Sequence, residues 1–220
     1  MGLEQQYFCG NPMNELTARL ASTRLIPVIA IDSADQAEPL ADALVKGGLP
    51  CAEITLRTDA GIEAIRRLRD RSDILVGAGT VHSVAQAEAS VAAGARFIVS
   101  PGLNPKTVIW CLDHQVPVFP GIATPTDLES ALELGLNVVK FFPAETLGGV
   151  ATLKAFSGPF GGIKFIPTGG IGPENLASYL SQRCVIACGG SWMVKPELLK
   201  ENRFDEIQRL TAEAVKLKNA

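Results

Sequence analysis

The chain lacks the sequence features of several large classes of protein. Its 220 residues carry a formal net charge of -3 and contain no basic block, so nucleic acid is not an expected partner. No apolar stretch is long enough to span a bilayer. The N-terminus has neither the basic and apolar regions of a signal peptide nor the Ser or Thr of a myristoylation signal. We therefore expect a cytoplasmic protein without a membrane partner.

Histidine is scarce, and cysteine occurs without a recognisable spacing. The two histidines, His82 and His114, are not spaced as metal ligands, so no metal and no other cofactor is expected. The cysteines include no CxxC pair, and an odd number of them in apolar surroundings is typical of reduced, buried thiols in the cytosol. The five cysteines are Cys9, Cys51, Cys111, Cys184 and Cys188.

The chain contains a regular alternation of strand and helix patterns. It is 47% hydrophobic and 20% charged, which suits one globular domain or two small ones. Short apolar runs rich in Val, Ile and Phe, most of them followed by Gly, Pro or Thr, predict eight strands. The predicted strands are Leu25–Ile31, Cys51–Leu56, Ile74–Ala78, Phe97–Ser100, Val118–Gly121, Asn137–Phe142, Lys164–Thr168 and Val185–Gly189.

Helical spacing of apolar residues fills the intervals between these strands. Asn104 before Pro105 and Thr124 before Pro125 have the residue types of a helix start, and Thr58 is a further expected N-cap. The predicted helices include Asp59–Arg71, Ser83–Ala93 with Gly94 as its C-terminal cap, Pro196–Lys218 as the last helix, and Met13–Ser22 ahead of the first strand.

Strands that alternate with helices predict a parallel sheet with right-handed crossovers. Eight such units at near-equal spacing close most naturally as a (β/α)8 TIM barrel. We expect one domain over residues 1–220, in which residues 1–22 form an N-terminal helical extension. The alternative is a doubly wound open sheet, which usually carries GxGxxG after its first strand. No such motif follows Ile31.

Two charges lie inside apolar strands, where an isolated charge is unfavourable. Lys140 lies in NVVKFFP, and Glu53 lies in CAEITL. Burial lowers the pKa of an amine and makes it a nucleophile near neutral pH. The pair therefore indicates a Schiff-base lysine with a carboxylate as general acid and base. A buried structural ion pair is the alternative interpretation of the same two residues.

Polar residues at the predicted strand ends indicate an anionic substrate. Arg57 follows Glu53 by four positions, and its guanidinium could hold a carboxylate with help from the Thr80 hydroxyl. Glycine pairs end the last two predicted strands, where backbone amides of this fold usually bind phosphate. These pairs are Gly169-Gly170 and Gly189-Gly190, the latter followed by Ser191. The alternatives are a surface Arg and two tight turns. His82 lies near the same rim, where a role at a helix start or on the surface is expected.

Seven segments together resemble one family, the 2-keto-3-deoxy-6-phosphogluconate (KDPG) and 4-hydroxy-2-oxoglutarate (KHG) aldolases of the Entner–Doudoroff pathway. The resemblance runs from about Leu20 to the end of the chain and touches every predicted strand. The segments are EITLRT (53–58), GAGTV (77–81), FIVSPG (97–102), PGIATP (120–125), VKFFPAE (139–145), PTGGI (167–171) and GGSW (189–192).

The resemblance implies a homotrimeric class I aldolase without metal. It would release pyruvate and glyceraldehyde 3-phosphate from 2-dehydro-3-deoxy-6-phosphogluconate, and pyruvate and glyoxylate from 4-hydroxy-2-oxoglutarate. By the same resemblance, Lys140 forms the Schiff base, Glu53 is the acid and base, and Arg57 and Thr80 hold the pyruvate carboxylate. The remaining implied positions are Gly169, Gly170, Gly190 and Ser191 for the phosphate, Thr168 for stereochemistry at C4, and Phe142 and Pro101 in the pocket wall.

Three alternatives stay open from the sequence. An aldolase for the galactonate isomer differs in configuration at C4, which residue types do not decide. A phosphosugar-binding barrel without catalysis would keep the fold but would not need both Lys140 and Glu53. A metal-dependent aldolase would need clustered metal ligands, and the scarcity of histidine argues against it.

Overall fold

The computed structural model describes residues 12–218, with side chains from Glu15 onward. Cys9 and residues 1–11 of the predicted extension lie outside the described residues. The described strands are short, as expected of buried strands in a parallel sheet. They are β1 (Leu25–Ile29), β2 (Cys51–Thr55), β3 (Leu75–Gly79), β4 (Ile98–Val99), β5 (Val118–Phe119), β6 (Gly121–Ile122), β7 (Val138–Phe141), β8 (Lys164–Pro167) and β9 (Cys188–Gly190).

Helices follow most of the strands. They are α1 (Pro12–Thr23), α2 (Ala37–Lys46), α3 (Gly61–Arg67), α4 (Val84–Ala93), α5 (Pro105–Asp113), α6 (Pro125–Glu133), α7 (Gly149–Ser157), α8 (Leu176–Leu180), α9 (Pro196–Lys200) and α10 (Phe204–Lys218). Two short 3-10 turns, Ala34–Gln36 and Glu145–Leu147, precede α2 and α7. Within residues 12–218, no helix has the length and apolar content needed to cross a membrane.

Helix capping follows the sequence at two of the three expected starts. The Asn104 side chain accepts a hydrogen bond from the amide of Lys106, and Thr124 forms a reciprocal capping box with Asp127. The expectation for Thr58 is wrong, because α3 begins at Gly61 and Thr58 donates its hydroxyl to the carbonyl of Ile31 instead.

Two predicted elements are interrupted. The predicted fifth strand divides into β5 and β6 at Pro120, which has no amide hydrogen to donate to a neighbouring strand. The predicted last helix divides into α9 and α10, and between them Asn202 adopts a left-handed conformation with φ of 53°. Asparagine tolerates that conformation better than most residues. The left-handed turn at Asn202 separates α9 from α10, although the helical spacing of apolar residues continues through it.

All the described strand pairs are parallel, in one sheet of order β5-β4-β3-β2-β1-β9 and a second of order β6-β7-β8. The two sheets adjoin at Pro120 and again through isolated bridges from Phe165 to Val185 and from Thr168 to Gly189. The result is a curled parallel sheet of the TIM-barrel-like kind with helices outside it. The predicted α/β class and parallel sheet are confirmed.

Side-chain alternation divides the core into two layers. Ala52 and Ile54 of β2 and Val139 and Phe141 of β7 belong to the layer between strands and helices. The other face of the sheet points into the curl, where Leu20 of α1 joins an inner cluster that also contains Cys51, Leu75, Phe97, Phe119 and Val138. This inner cluster fills the end of the curl at which the strands begin. The inward-facing residues that follow it along each strand therefore lie toward the carboxyl ends.

Candidate active site

The two charges predicted from the sequence meet inside the curl. Glu53 follows Cys51 by two positions on β2, and Lys140 follows Val138 by two on β7, so alternation turns both inward above the inner cluster. Their relative exposures are 3% and 6%, and Lys140 Nζ lies 3.5 Å from Glu53 Oε1. The Phe142 ring centroid lies 5.1 Å from the same nitrogen and covers it. The amine is thus held next to a single carboxylate in a largely buried position.

Glycine next to the carboxylate makes this arrangement possible. Gly79 ends β3, and a Cβ at that position would overlap the Glu53 side chain. Gly121 of β6 pairs with Lys140, and a Cβ there would overlap the backbone at Pro101. Both glycines therefore lie where the packing leaves no room for a Cβ, Gly79 against the Glu53 side chain and Gly121 against the backbone at Pro101.

A threonine outside the predicted set connects strand β1 to Arg57. The Thr55 hydroxyl donates to the carbonyl of Ile29 at 2.7 Å and accepts from Arg57 Nε at 3.1 Å. Because Thr55 is buried in β2, its hydroxyl gives the Arg57 guanidinium a fixed hydrogen-bond partner.

The Thr80 backbone has φ of 59°, an uncommon conformation for a β-branched residue. Such a backbone is often found at binding sites, where the surrounding structure holds it in place.

In the Gly169-Gly170 loop after β8, both carbonyls accept hydrogen bonds, whereas both amides are left to bind a ligand. Both glycines adopt positive φ, 100° and 77°. The carbonyl of Gly169 accepts from the amide of Glu145 at 3.1 Å, and that of Gly170 accepts from Asn175 Nδ2 at 3.0 Å. Among residues 12–218, the amides of both glycines have no hydrogen-bond acceptor. Successive free amides in such a loop form a concave anion-binding site.

Asn175 and Tyr179 support that loop from behind. Asn175 Oδ1 also accepts from the amide of Gly172 at 2.9 Å, so one side chain closes the turn at both ends. The Tyr179 hydroxyl donates to Glu145, whose side chain packs against Gly170. Burial raises the pKa of Tyr179 above its ordinary value, and the hydrogen bond to Glu145 acts in the same direction. The tyrosine therefore stays a neutral donor to Glu145.

The last strand completes the rim. Thr168 bridges to Gly189, and a Cβ at Gly189 would overlap the Thr168 side chain. Beyond it, Ser191 is exposed.

One cavity of about 310 Å³ lies at the carboxyl ends of the strands. All the residues proposed from the sequence line it: Glu53, Arg57, Thr80, Pro101, Lys140, Phe142, Thr168, Gly169, Gly170, Gly190 and Ser191. Residues outside that set also line it, namely Val28, Thr55, His82, Ile171 and Gly189.

His82 has the expected role at a helix start and a position in the cavity wall as well. Its amide donates to Gln86 Oε1 at 2.7 Å, and its carbonyl accepts from Asn104 Nδ2 at 3.2 Å. The position of His82 in the sequence, shortly after the end of β3, indicated that it lies near the cavity as well. In residues 12–218, no group of three or more potential metal ligands is placed to hold an ion.

Comparison with known proteins agrees with this site. The family model described as KDPG and KHG aldolase matches residues 16–210. The chain belongs to the KDPG and KHG aldolase family. The predicted family and the predicted class of carbon–carbon lyase are confirmed by this match and by the aldolases described next.

Two relatives show how much of the chain the family covers. The 2-dehydro-3-deoxy-phosphogluconate aldolase of Treponema pallidum is 47% identical over 199 residues, which is 90% of this chain and 95% of that protein. The KHG/KDPG aldolase of Escherichia coli K12 is 41% identical over 197 residues, 89% of this chain and 92% of that protein.

A solved structure shows a reaction intermediate of a relative. The KDPG aldolase of Legionella pneumophila, with pyruvate captured at low pH as a covalent carbinolamine, is 41% identical with a TM-score of 0.87. The match covers 93% of this chain and 98% of that one. The curled sheet of this KDPG and KHG aldolase family member is thus shared with a protein that binds pyruvate covalently.

The described cysteines of this family member do not take part in the cavity. Burial raises the pKa of the Cys51 thiol from 9.0 to about 12, and Glu53 acts in the same direction. Burial also raises the pKa of Cys111 and that of Cys188 to about 12. Cys184 is partly exposed, and all four are free thiols.

Proposed function

We propose that this chain is a class I aldolase that cleaves 2-dehydro-3-deoxy-6-phosphogluconate to pyruvate and glyceraldehyde 3-phosphate. The observation that carries the proposal is the buried contact of Lys140 Nζ with Glu53 Oε1 at 3.5 Å. A structural ion pair alone would not need a cavity above it, a guanidinium on one side and free loop amides on the other.

Lys140 is proposed as the nucleophile. Transfer of a proton from the ammonium to Glu53 frees the amine, which attacks the C2 ketone of the substrate. Glu53 returns the proton to the oxygen of the carbinolamine, water leaves, and a protonated imine remains. Glu53 is again an anion at this point, ready for the next transfer.

The protonated imine accepts the electrons of the breaking bond. Glu53 removes the proton of the C4 hydroxyl, the C3–C4 bond breaks, and its electron pair forms an enamine as the aldehyde leaves. Glu53 then returns a proton to C3, and water hydrolyses the protonated imine to release pyruvate and Lys140 as its ammonium, with Glu53 again an anion. Every proton that Glu53 takes up is given back within one turnover.

The two ends of the cavity are proposed to hold the two ends of the substrate. Arg57 and Thr80 bind the carboxylate next to C2, with Thr55 fixing the guanidinium. Gly169, Gly170, Gly190 and Ser191 bind the phosphate, and Pro101 and Phe142 form the walls. Fixing both ends places C2 at Lys140 and the scissile bond near Glu53.

The same geometry supports a second substrate. Cleavage of 4-hydroxy-2-oxoglutarate needs the amine, the carboxylate and Arg57 but no phosphate site, and the Escherichia coli relative is named for both activities. Thr168, which lies beside Gly189, is proposed to select the gluconate over the galactonate configuration at C4.

We also propose the larger arrangement that the sequence indicated. Residues 1–220 would form a single closed (β/α)8 barrel with residues 1–22 as a helical extension, supported by the bridges from Phe165 and Thr168 that adjoin the two sheets. The protein would act as a homotrimer in the cytoplasm, without a cofactor.

Borohydride reduction in the presence of pyruvate tests the proposal directly. We expect a reduced pyruvate adduct in the intact mass, mapped to the peptide that contains Lys140. Lys140→Met should remove the adduct and the cleavage activity, whereas Lys154→Met, which changes an exposed lysine of α7, should keep both. An adduct-free wild-type protein that is folded would overturn the proposal in favour of a binding protein or another lyase mechanism.

A further inference from the structure

A second cavity of about 460 Å³ lies at the other end of the curl. It is lined by Leu75 at the start of β3 and by Arg96 and Pro117, which precede β4 and β5. Arg19 and Leu16 of α1 form its outer wall. The cavity therefore opens where the strands begin, whereas Lys140 lies toward their carboxyl ends, and its lining shares no residue with the active-site cavity.

The residues that line this cavity carry more positive than negative charge, although carboxylates outside the lining compensate part of it. Four arginines line it, Arg19, Arg69, Arg71 and Arg96, against a single carboxylate, Glu15. This excess of positive charge occurs in a protein whose formal net charge is -3. A local concentration of this kind attracts anions even when the molecule as a whole is acidic.

The four arginines differ in how far their charge is already compensated. Arg71 is paired, at 3.2 Å from Glu38, 2.9 Å from Asp42 and 2.7 Å from Asp73. Arg69 has a long contact of 3.8 Å to Asp70, whose side chain is 98% exposed and thus well hydrated.

The other two arginines have no such partner. Within the part of the chain whose side chains are described, Arg19 and Arg96 form neither a hydrogen bond nor an ion pair through their guanidinium groups. The amide of Arg96 donates to the carbonyl of Val76 at 2.8 Å, so its backbone is fixed at the cavity wall. Three guanidinium groups thus share one concave space without a close, buried counter-charge.

We propose that this cavity binds a small polyanion that carries two or more phosphate groups. Guanidinium groups present paired N–H donors that match phosphate oxygens, and several of them around one concavity favour a ligand with more than one anionic group. The hydroxyl of Ser72 adds a neutral donor at the wall. This site is separate from the substrate site and does not depend on the proposed catalytic mechanism.

Calorimetric titration of the full chain with inorganic pyrophosphate in low salt tests this site. Arg19→Gln/Arg96→Gln removes the two unpaired charges, and Arg183→Gln is the matched control because Arg183 is exposed and its side chain is likewise unpaired in the described structure. We expect pyrophosphate to bind the double variant on the order of tenfold or more weakly, while the control binds it as wild type does. Raising the salt concentration should weaken the wild-type affinity, since these charges are solvent-accessible.

Pyrophosphate can also bind the Gly169-Gly170 loop of the active site. Binding there must be distinguished from binding in the second cavity. Binding there would inhibit aldol cleavage competitively, with the same inhibition constant in wild type and in the double variant. Wild type should show a further calorimetric binding event that the double variant lacks at the same concentrations. If pyrophosphate binds wild type and double variant equally, or binds wild type only with the affinity of the competitive inhibition, the second site is refuted. Retained kcat/KM in the double variant verifies that it is folded.

Discussion

Lys140 and Glu53 are separated by 87 positions in the sequence, yet Nζ and Oε1 lie 3.5 Å apart inside the curled sheet. Each is the only close opposite charge of the other among the described residues. Because both are more than nine-tenths buried, contact with bulk water is limited for each of them. A change at Glu53 therefore acts on one defined contact with Lys140.

Glu53→Gln should keep the size of the side chain and remove its ability to take up a proton. We expect kcat for cleavage to fall by roughly 100-fold or more, the usual effect of losing a general acid and base. Steady-state cleavage assays measure this, with Glu129→Gln, an exposed change on α6, as the control that retains activity. A kcat within threefold of wild type would exclude Glu53 from proton transfer.

Gly79→Ala should abolish activity through a single added methyl group. A Cβ at Gly79 overlaps the Glu53 side chain, so the carboxylate must move away from the amine. Gly162→Ala is the matched control, because a Cβ at Gly162 meets no atom within 4 Å. The prediction is checked by kcat together with a thermal unfolding curve. Equal activity of the two variants would show that the position of the carboxylate is not critical.

Thr55→Val should raise the KM for pyruvate severalfold. The change removes the hydroxyl that accepts from Arg57 Nε and donates to the carbonyl of Ile29. Thr58→Val removes a similar hydroxyl-to-carbonyl hydrogen bond, to Ile31, that does not involve Arg57. Both variants should lose on the order of 1 kcal/mol in free energy of unfolding. Only Thr55→Val should change the KM, measured through exchange of the pyruvate methyl protons in deuterated water. The same KM in both variants would contradict the proposed support of Arg57.

Asn175→Ala should weaken binding of the phosphorylated substrate and leave pyruvate binding unchanged. Its amide group holds the carbonyl of Gly170 and the amide of Gly172, which keeps the loop amides in place. We expect the KM for the phosphorylated substrate to rise about tenfold. Pyruvate methyl exchange is the internal control, because pyruvate has no phosphate. Equal effects in the two assays would indicate general destabilisation and not a role in phosphate binding.

The buried thiols predict how stability depends on pH in the alkaline range. With a folded-state pKa of about 12, Cys51 stays protonated at pH values where an exposed thiol, near 9.0, ionises. Between those values the unfolded state binds fewer protons than the folded state, so the free energy of unfolding falls as pH rises. The contribution is complete below about pH 9 and decreases by at most roughly 1.4 kcal/mol per pH unit for each thiol.

Urea unfolding at pH 8 and pH 10 measures this effect. Cys51→Ala should show a smaller loss of stability between the two pH values than wild type. Cys184→Ala, which removes a partly exposed thiol, is the matched control for the loss of a cysteine side chain. If the stability of Cys51→Ala changed with pH in parallel with wild type, the raised pKa of the Cys51 thiol would be contradicted.

Most of the candidate site could be placed from the sequence, because strand ends in a parallel sheet collect at one edge. Residues named from their position on or just after a strand, such as Arg57, Thr80 and Ser191, all line the cavity. The supporting roles of Thr55 and Asn175 were not predicted from the sequence. Their roles depend on hydrogen bonds to Ile29, Arg57, Gly170 and Gly172, and residue type alone does not specify such partners.

The errors in the fold have similar physical origins. Pro120 divides the predicted fifth strand because it has no amide to donate, and that interruption became evident only with the neighbouring strands in place. The break at Asn202 falls inside a continuous helical pattern, so periodicity predicted one helix where α9 and α10 are separate. In both cases a local backbone requirement prevailed over a regular pattern.

The sequence by itself determined the parallel α/β architecture, the inward orientation of Lys140 and Glu53, and the glycine loops at the strand ends. These follow from the period of two along a strand and from the position of turn residues, both of which are local properties. Only the tertiary structure decided that the two charges meet and that arginines gather at the opposite end. Strands β2 and β7 are neighbours in neither sheet, and it is the curl of the sheet that brings their inner faces together across the interior.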